Sequence, residues 1–399
     1  MPALTACRVL DFGQGVAGPY CGQFLADHGA DVVKIEPPRG DWSRTMGTGG
    51  GVFLSVNRNK RGVCLDLRDD EIQGLVRAAA LKADVIIESF RPGVMRKFGL
   101  DYAALREQNP RLVYCSVTGF GASGPNVHLP AGDSIMQAYA GLMSINGERG
   151  GLPLRLGNVI SDMLAGMNAF SGVLLALMAR AQSGVGQLVQ TSLLDSLIAF
   201  QAPPLMEFLK TGVAPERMGN DHPLIAPSGA MATRDGSITF TVFDHQWQAF
   251  CDGLGLAELK HDPDYVSSQA RQKHRDALNA ILAPIFKARG STEWIEKLRT
   301  MDVLCAPVNS YADLINDPQV VHNKLIRTLA AGSDGGIPNI ANPLKMEEPL
   351  HEPHAAPQLG EHTEQVLCTG WGVSQDTMHR LHGKGVITCA KEAERHNRT

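Results

Sequence analysis

The chain has 399 residues, 44% of them hydrophobic, and this length can bury a large core divided between two domains. Its 37 basic and 41 acidic residues give a net charge of −4, so no general electrostatic attraction to nucleic acid or to an anionic membrane is expected. The eight cysteines form no Cys-x-x-Cys pair, which is typical of a reduced, cytosolic protein and favours neither a disulfide framework nor a zinc site.

Strand and helix patterns alternate in the first third of the chain. The predicted strands and the clearest helices between them are, in chain order, strand 8–12, helix 19–28, strand 31–36, strand 63–67, helix 71–82, strand 84–88 and strand 112–117. Alternation of this kind predicts a parallel sheet with crossover helices.

The middle of the chain, 131–205, is predicted to be mostly helical and contains the longest apolar stretch, 169–179. That stretch is too short to span a bilayer and predicts a buried helix. The first ten residues also lack the basic start and apolar core of a signal peptide. A break rich in glycine, proline and charged residues follows at 211–227.

The part of the chain after this break has the pattern of a smaller α+β unit. It is predicted to contain a hairpin, three helices and a closing strand, at 230–242, 246–254, 271–288, 292–300 and 304–308. The remainder, 311–399, has helical pieces and many loop signals.

A glycine motif, Gly13-x-Gly15-x-x-Gly18, lies between the first predicted strand and the first helix, and Glu36 ends the second strand. This is the spacing of a dinucleotide-binding turn with its ribose-binding acid, so taken alone it indicates NAD. Its physical content is less specific, because glycines and free helix-start N–H groups suit any phosphate-bearing ligand. A tight turn that binds no ligand is the third interpretation.

Aromatic and basic residues follow one of the strands. Phe90 comes directly after the strand 84–88, and Lys97 is close behind it. Open parallel sheets bind ligands beyond the carboxyl ends of their strands, so a phenyl ring there can cover adenine and a lysine can meet a phosphate. Lys60 and Arg61, which precede the strand 63–67, are equally well interpreted as ordinary solvated charges.

Two aspartates stand at predicted helix starts, Asp133 before 134–142 and Asp162 before the long apolar helix. Either can cap its helix, as can Ser161, and composition alone favours capping. Asp162 is also well placed to be a nucleophile, because the helix macrodipole favours its ionised form and nearby free N–H groups can stabilise an oxyanion. His222 lies in a polar loop that is either a linker or the source of a general base, and no histidine has metal-ligand spacing.

The sequence resembles the family III CoA-transferases, the CaiB/BaiF group that includes formyl-CoA:oxalate and carnitine-CoA transferases. The resemblance covers about residues 8 to 325 and depends on the order and spacing of short motifs. Those motifs include Val9-Leu10-Asp11-Phe12, Ala17-Gly18-Pro19, Gly29-Ala30-Asp31-Val32-Val33-Lys34-Ile35-Glu36-Pro37-Pro38, Asn59-Lys60-Arg61, Phe90-Arg91-Pro92-Gly93, Asn109-Pro110-Arg111-Leu112-Val113-Tyr114, Gly119-Phe120-Gly121, Arg217-x-Gly219-Asn220-x-His222-Pro223 and Ala306-Pro307-Val308.

This resemblance implies an α/β fold in which a Rossmann-like large domain with a parallel sheet is joined to a smaller α+β domain, in a dimer of interlocked chains. We accordingly expect the N-terminal part of the large domain at 1–205, a linker at 206–227 and the small domain at 228–310. Residues 311–399 are expected to link back and return to the large domain. The long segment 203–227 could carry the chain from one domain to the other.

The resemblance also assigns residues. The family's catalytic aspartate falls on Asp162, and its CoA contacts fall on Val16, Ala17, Phe90 and Lys97. It implies transfer of CoA from an acyl-CoA donor to a small carboxylic acid through an aspartyl anhydride and an aspartyl-CoA thioester, and a dicarboxylic acid is the favoured acceptor. Acyl-CoA is then a substrate, and no metal or permanently bound cofactor is expected. The expected setting is a cytoplasmic homodimer with small-molecule substrates and no nucleic-acid or membrane partner.

Two departures from the family pattern stand out. Some members shield the active site with a glycine run in the small domain, which 219–243 lacks, so a different lid is expected. The histidine of the α-methylacyl-CoA racemases, which share the fold, falls on Gly132, and this argues against racemisation.

Two other functions are left open, an NAD-dependent dehydrogenase using the glycine turn and a non-catalytic acyl-CoA-binding relative in which Asp162 is only a cap. The candidates for pairing the second carboxylate of a dicarboxylic acid are Arg44, Arg155 and Arg217.

Overall fold

The computed structural model describes residues 2–330, 336–347 and 352–390. The strands are β1 Arg8–Asp11, β2 Asp31–Glu36, β3 Arg61–Leu65, β4 Val85–Glu88, β5 Val113–Thr118, β6 Leu188–Ser192, β7 Ser228–Ala232, β8 Ser237–Thr241, β9 Leu304–Pro307, β10 Ile326–Ala330, β11 Gly336–Ile340 and β12 Ile387–Thr388. The α-helices are α1 Ala17–Asp27, α2 Gly51–Val56, α3 Asp70–Ala80, α4 Val94–Lys97, α5 Tyr102–Arg106, α6 Asp133–Tyr139, α7 Leu142–Ile145, α8 Ile160–Ser183, α9 Leu193–Phe200, α10 Ala202–Thr211, α11 Trp247–Leu254, α12 Ser268–Lys273, α13 Arg275–Lys287, α14 Ser291–Thr300, α15 Tyr311–Leu314, α16 Pro318–Asn323 and α17 Gln375–Gly383.

The chain forms two compact units. The first comprises Met1–Leu142, Leu156–Gly212 and Asn323–Thr399, and the second comprises Met143–Arg155 and Val213–His322.

A seven-stranded sheet forms the centre of the first unit, in the order β12-β3-β2-β1-β4-β5-β6. Its neighbouring strands are parallel except β12, which pairs antiparallel with β3. The order 3-2-1-4-5-6 is that of a Rossmann-type sheet, so the expected mixed α/β fold with a large, mainly parallel sheet is confirmed.

The core of the first unit explains why its strands were predictable. Strands such as β4 and β5 are buried along their whole length, and buried parallel strands appear in the sequence as continuous apolar runs. Apolar side chains from α3, α5 and α17 pack on one face of the sheet, and they include Ile72, Leu105 and Leu381. The C-terminal helix α17 therefore belongs to this core.

Strand β6 was not predicted, because it lies in the segment that was expected to be helical. It is a five-residue edge strand, Leu188–Ser192, between two helices, and its residues are mostly exposed or half-buried. A short edge strand lacks the apolar run that marked the central strands.

The long helix α8 also differs from expectation. It has 24 residues and, within the described part of the chain, is the one helix apolar and long enough to match a membrane span, although a soluble core helix can pass the same test. Only one face is buried, since Leu175 and Met178 are 66% and 65% exposed. The predicted buried helix is therefore longer, and buried on one side only.

The second unit is built on a three-stranded antiparallel sheet in the order β7-β8-β9. Its core contains Trp247, Phe250, Phe286 and Trp294, contributed by the helices α11, α13 and α14. The predicted hairpin forms β7 and β8, but the predicted single helix at 271–288 is divided into α12 and α13 at His274.

The boundaries of the two units differ from those expected. The segment 206–212 continues α10 up to Gly212, which ends the helix in a left-handed conformation, so it is not a linker. Prolines 203 and 204 are compatible with this helix because they lie in its first turn, where their missing N–H groups have no helical partner anyway. Residues 143–155 and 213–227 belong to the second unit, and the chain rejoins the first unit at Asn323.

Candidate active site

The glycine turn between β1 and α1 uses its first backbone N–H groups internally. The donors and acceptors are Gly13 N to Asp11 Oδ1 at 2.8 Å, Gln14 N to Ser89 Oγ at 3.0 Å, and Gly15 N to Asp41 Oδ1 at 3.0 Å. A pyrophosphate bound as in a dinucleotide fold needs such amides free. In this protein they are already occupied by side chains.

The acid expected to hold a ribose is also engaged. Glu36 is buried, and its two carboxylate oxygens accept hydrogen bonds from Arg44 at 2.7 Å each. One of them also accepts from the backbone N–H of Asp41 at 2.9 Å. With the acid and the turn amides both occupied, the geometry does not support the NAD interpretation.

The next amides along the turn are open. Val16, Ala17 and Gly18 donate no backbone hydrogen bond within the described residues, and Tyr20 is the first whose N–H reaches a helical acceptor, Val16 O at 2.8 Å. Helix α1 therefore begins with unsatisfied donors at the carboxyl edge of the sheet. The side chains of Val16 and Ala17 themselves are buried.

A buried charge cluster lies beneath the turn. Lys34 Nζ donates to Gly13 O at 2.6 Å and pairs with Asp41 at 2.9 Å. Lys60 Nζ uses its three donors on Asp11, the carbonyl of Pro19 and Asn57, at 2.7, 2.6 and 2.9 Å.

This cluster changes the interpretation of the basic loop. Burial lowers the pKa of Lys60 to about 8. Arg61 pairs with Asp31 at 2.6 Å. Lys60 is thus an internal support of the turn, and Arg61 is tied to a neighbouring strand, so neither is a solvated charge without a partner.

Phe90 and Lys97 lie past the carboxyl end of β4, which is the parallel neighbour of β1. Ser89 hydrogen-bonds with both the N–H and the carbonyl of Gln14, so the segment carrying Phe90 is tied to the glycine turn. Phe90 is half-buried and Lys97 is exposed. The structure therefore brings Val16, Ala17 and Phe90 to one edge of the sheet.

A cavity of about 290 Å³ lies along β5 and β6, lined by alternate residues of both strands, and reaches the segment that follows β4. Its lining includes Arg91, Tyr102 and Ser116. Glu88 lines it as well, and burial raises the pKa of that carboxyl group.

Asp162 is the third residue of α8 and is half-buried. Its carboxylate accepts no hydrogen bond and forms no ion pair within the described residues. The N-cap of α8 is Val159, without a side-chain cap, and Ser161 donates its hydrogen bonds elsewhere. Neither Asp162 nor Ser161 caps the helix, so the capping interpretation of both is wrong.

Asp133 caps α8 from another helix. Its Oδ1 accepts from the backbone N–H and the hydroxyl of Ser161, both at 2.9 Å, and its Oδ2 accepts from Gln137 Nε2 at 2.7 Å. All three residues are buried. Asp133 does not cap its own helix α6, whose N-cap is Gly132 and carries no side-chain bond.

Helix packing relates Asp162 to the glycine turn. The rings of Phe24 and Phe170 stack at 5.1 Å, and a side chain at Gly166 would meet Ala17 O at 2.8 Å. Residues four apart lie on one face of a helix, so Asp162, one turn before Gly166, projects from α8 at the start of α1. The lone carboxylate and the open amides of α1 therefore lie at the same end of the packed helix pair.

The environment of Asp162 favours its protonated form. Burial, with the negative charge of Asp133 added, raises the pKa of Asp162 to about 7. The expectation that the helix macrodipole favours the ionised form is wrong for this carboxyl group, because desolvation and the like charge of Asp133 raise its pKa.

The arginines considered for a second substrate carboxylate are placed differently from one another. Arg44 is committed to Glu36 and to the carbonyl of Pro357. Arg217 lies in the second unit, where it donates to Gly151 O at 2.6 Å, and Arg155 belongs to that unit too. His222 accepts a hydrogen bond from the backbone of Leu224.

Comparison with known proteins decides the family. The model of CoA-transferase family III matches residues 4–363. The chain belongs to CoA-transferase family III. It is therefore an enzyme of this family.

Relatives of known name support this assignment over most of the chain. A succinate–glutarate CoA-transferase of Agrobacterium fabrum is 36% identical over 92% of this chain and 95% of its own length. An acetyl-CoA:oxalate CoA-transferase of Acetobacter aceti is 37% identical over 88% and 92%. A CaiB/BaiF family protein from Brucella suis has a solved structure with a TM-score of 0.86, at 33% identity over 92% of this chain and 99% of that one.

Sequence reasoning on this family III chain missed the groups that support the site. Asp41 and Ser89 bind the glycine turn, and Gln137 links Asp133 to the carbonyl of Asn158 at 3.1 Å. The available signals were weak: Asp41 follows a glycine after a strand, and Ser89 directly follows a strand. Their partners are too distant along the chain for a local pattern to identify.

Proposed function

We propose that this enzyme moves CoA from an acyl-CoA donor to a dicarboxylic acid, with Asp162 as the nucleophile. The observation that carries the proposal is the carboxylate of Asp162, which has no hydrogen-bond or ion-pair partner among the described residues and lies beside the open amides at the start of α1. A carboxylate without hydrogen-bond partners keeps its lone pairs available for attack. The substrate class is supported by the relatives named above, whose named acids (succinate, glutarate and oxalate) are all dicarboxylates.

The proposed mechanism begins when an Asp162 oxygen attacks the thioester carbonyl of the donor. The carbon–sulfur bond breaks, CoA leaves as a thiolate, and an aspartyl–acyl anhydride remains. The thiolate then attacks the Asp162 carbonyl carbon of the anhydride. The donor acid leaves as a carboxylate, and an aspartyl-CoA thioester is formed. Covalent catalysis of this kind divides one difficult exchange into easier steps.

The second half repeats these steps with the acceptor. The acceptor carboxylate attacks the aspartyl thioester and displaces the thiolate, which then attacks the acceptor carbonyl carbon of the new anhydride. Asp162 is released as a carboxylate, and the acceptor leaves as its CoA ester. Thioester energy is conserved provided that water does not reach the anhydride. No atom changes oxidation state, and every group that is transferred comes from the substrates or from Asp162, so the proposed steps use no permanently bound cofactor.

The direct test is an exchange assay. Purified enzyme is incubated with succinyl-CoA or acetyl-CoA and a panel of acids that includes glutarate, oxalate and the monocarboxylate butyrate, and new CoA esters are separated and quantified. Appearance of glutaryl-CoA or oxalyl-CoA supports the proposal. Release of free CoA without any new ester would contradict it, because that outcome is hydrolysis and not transfer.

The pH dependence provides a prediction about Asp162. Its carboxylate must be ionised to attack, so kcat/KM for acyl-CoA should rise with pH through about 7 and level off above it. The negative charge of Asp133 contributes to the raised pKa, so Asp133→Asn should move the rising limb to lower pH.

The control for this measurement is Asp195→Asn, since Asp195 lies in the first turn of α9 and is not among the groups that shift Asp162. Asp195→Asn should leave the rising limb of the kcat/KM–pH profile at the same pH as in wild type. An unchanged limb in Asp133→Asn would contradict the electrostatic role given to Asp133.

We propose that CoA binds along the edge formed by Val16, Ala17, Phe90 and Lys97. The open amides of α1 support this, as do the half-buried ring of Phe90 and the exposed charge of Lys97. Lys97→Ala should raise the KM for acyl-CoA by roughly three- to tenfold with little change in kcat, because a remote phosphate contact stabilises ground and transition states alike.

The matched control is Lys82→Ala, which removes another exposed lysine, one that lies before the amino end of β4. Steady-state kinetics of both variants should show a raised KM for Lys97→Ala alone. Equal KM values would argue against CoA at this edge, and calorimetry that shows tight NADH binding would reverse the assignment of ligand.

We further propose a homodimer of interlocked chains in the cytoplasm. In the first unit α8 and α10 leave large apolar side chains in water, among them Leu175, Met178, Met206 and Leu209, each more than 60% exposed. Contiguous exposed apolar surface marks an interaction site in a soluble protein. The eight free cysteines are consistent with a reducing compartment.

A further inference from the structure

Trp42 occupies a distinctive position beside the glycine turn. Its ring packs on Gly15, where any added side chain would overlap with it, and Gly15 also has a φ of 75°, which favours glycine. The residue is nevertheless 52% exposed. Trp42 therefore covers one side of the turn while keeping about half of its surface open to solvent.

The backbone that carries this ring is held by buried groups. Trp42 opens a short 3₁₀ turn, Trp42–Thr45, whose N-cap Asp41 accepts from the N–H and the hydroxyl of Ser43 at 2.9 and 2.8 Å. Asp41 also binds Gly15 N and pairs with buried Lys34. The carboxylate of Asp41 thus holds both the glycine turn and the backbone next to Trp42. The ring is therefore exposed on a well-ordered backbone.

The other tryptophans of the chain are less exposed. Trp247 and Trp294 are 1% and 2% exposed in the core of the second unit, and Trp371 is half-buried against the core of the first. A single exposed aromatic side chain is ordinary on a protein surface. Trp42 differs because it packs on Gly15, the residue that directly precedes Val16 and Ala17 with their open amides.

Strand order places Trp42 and Phe90 on opposite sides of the turn. β1 lies between β2 and β4, Trp42 follows β2, and Phe90 follows β4. An extended ligand whose adenine lies at Phe90 and which crosses the open amides has its other end towards Trp42. In an acyl-CoA that other end is the pantetheine arm with its thioester.

We infer that Trp42 is an aromatic wall of the acyl-CoA site that contacts the pantetheine–thioester end and positions it for attack. This rests on the proposed function, because it takes acyl-CoA as the ligand and Asp162 as the nucleophile. A rigid indole face gives a large apolar contact to the pantetheine arm at low conformational cost. Holding the thioester in place raises the rate of the first chemical step.

The tryptophan fluorescence of the protein supplies the first test. Wild type, Trp42→Phe and the control Trp371→Phe are each titrated with CoA, with pantetheine and with adenosine 3′,5′-bisphosphate, none of which carries an acyl group to transfer. CoA and pantetheine should change the emission of wild type and of Trp371→Phe and leave Trp42→Phe nearly unchanged. Adenosine 3′,5′-bisphosphate should cause no change that depends on Trp42.

Kinetics supply the second test. Trp42→Ala should lower kcat/KM for acyl-CoA by about tenfold or more, whereas Trp42→Phe, which keeps an aromatic ring, should stay within about threefold of wild type. A lower kcat/KM could also result from unfolding of a variant. Comparing the melting temperatures of both variants with that of wild type checks this.

Three results would overturn the inference: a CoA-induced emission change that persists in Trp42→Phe, a Trp42-dependent change with adenosine 3′,5′-bisphosphate alone, or full kcat/KM in Trp42→Ala. Calorimetry separates this failure from failure of the proposed function. If wild type binds CoA without involving Trp42, only the inference about Trp42 is contradicted. If wild type binds no CoA, the proposed function is contradicted as well.

Discussion

Asp162→Asn should abolish CoA transfer while acyl-CoA binding and folding persist. Asparagine has nearly the same shape as aspartate, but its amide does not attack a thioester, so the anhydride cannot form. We expect kcat to fall on the order of 10³-fold or more, as when other covalent nucleophiles are removed. Calorimetry should give a Kd for CoA close to that of wild type.

Mass spectrometry provides the direct measurement. Wild type incubated with a donor acyl-CoA and digested should yield an adduct on the peptide that contains Asp162, and Asp162→Asn should yield none. Asp195→Asn serves as the matched control, since it changes an acid at the start of the adjacent helix α9. Substantial turnover by Asp162→Asn would rule out the covalent mechanism.

The same substitution has a stability consequence that does not depend on catalysis. The folded-state pKa of Asp162, about 7, lies above its usual value of 3.8, so the folded protein favours the protonated form. The free energy of unfolding of wild type should fall relative to that of Asp162→Asn as pH rises from about 4 to about 7. Above that range the difference between the two proteins should stay constant. Urea unfolding across this pH range measures the effect, and a pH-independent difference would show that Asp162 has an ordinary pKa.

Dimers of this protein should not exchange subunits under native conditions. If the chains are interlocked, as we propose, separation requires unfolding, so tagged and untagged dimers mixed together should remain unmixed for hours. Dilution should likewise yield no monomer in analytical ultracentrifugation. As a control, the mixed sample is unfolded in denaturant and refolded, and it should then contain hybrid dimers.

Two outcomes would contradict the threaded arrangement: a folded monomer at low concentration, or hybrid dimers that appear without denaturant. Leu175→Lys tests the exposed apolar face separately. If this face lies in the dimer interface, the added charge should reduce the yield of folded dimer, whereas on a free surface the substitution should have almost no effect on that yield. The proposed chemistry of Asp162 survives either result if the site is complete within one chain.

The class of fold and the candidate nucleophile could both be predicted from the amino-acid sequence. The strands of the first unit that are buried on both faces appear as apolar runs separated by helix patterns, so β1, β2, β4 and β5 were predictable to within two residues. Asp162 was identified because a motif order spread over some three hundred residues resembles one family. The edge strand β6 was missed, because its half-exposed residues carry no such run.

The roles of the polar residues, in contrast, became clear only from the folded arrangement. Asp162 could not be distinguished from a helix cap until Asp133, 28 residues before Ser161, was found to cap the helix instead. Lys60 resembled a surface charge until its partner Asp11, 49 residues away, was found to be buried with it. Glu36 matched a ribose-binding acid until Arg44 was found to occupy both of its oxygens. The physical reason is that burial and hydrogen-bond partners, which set pKa and reactivity, come from residues far apart along the chain that only the folded sheet and helices bring together.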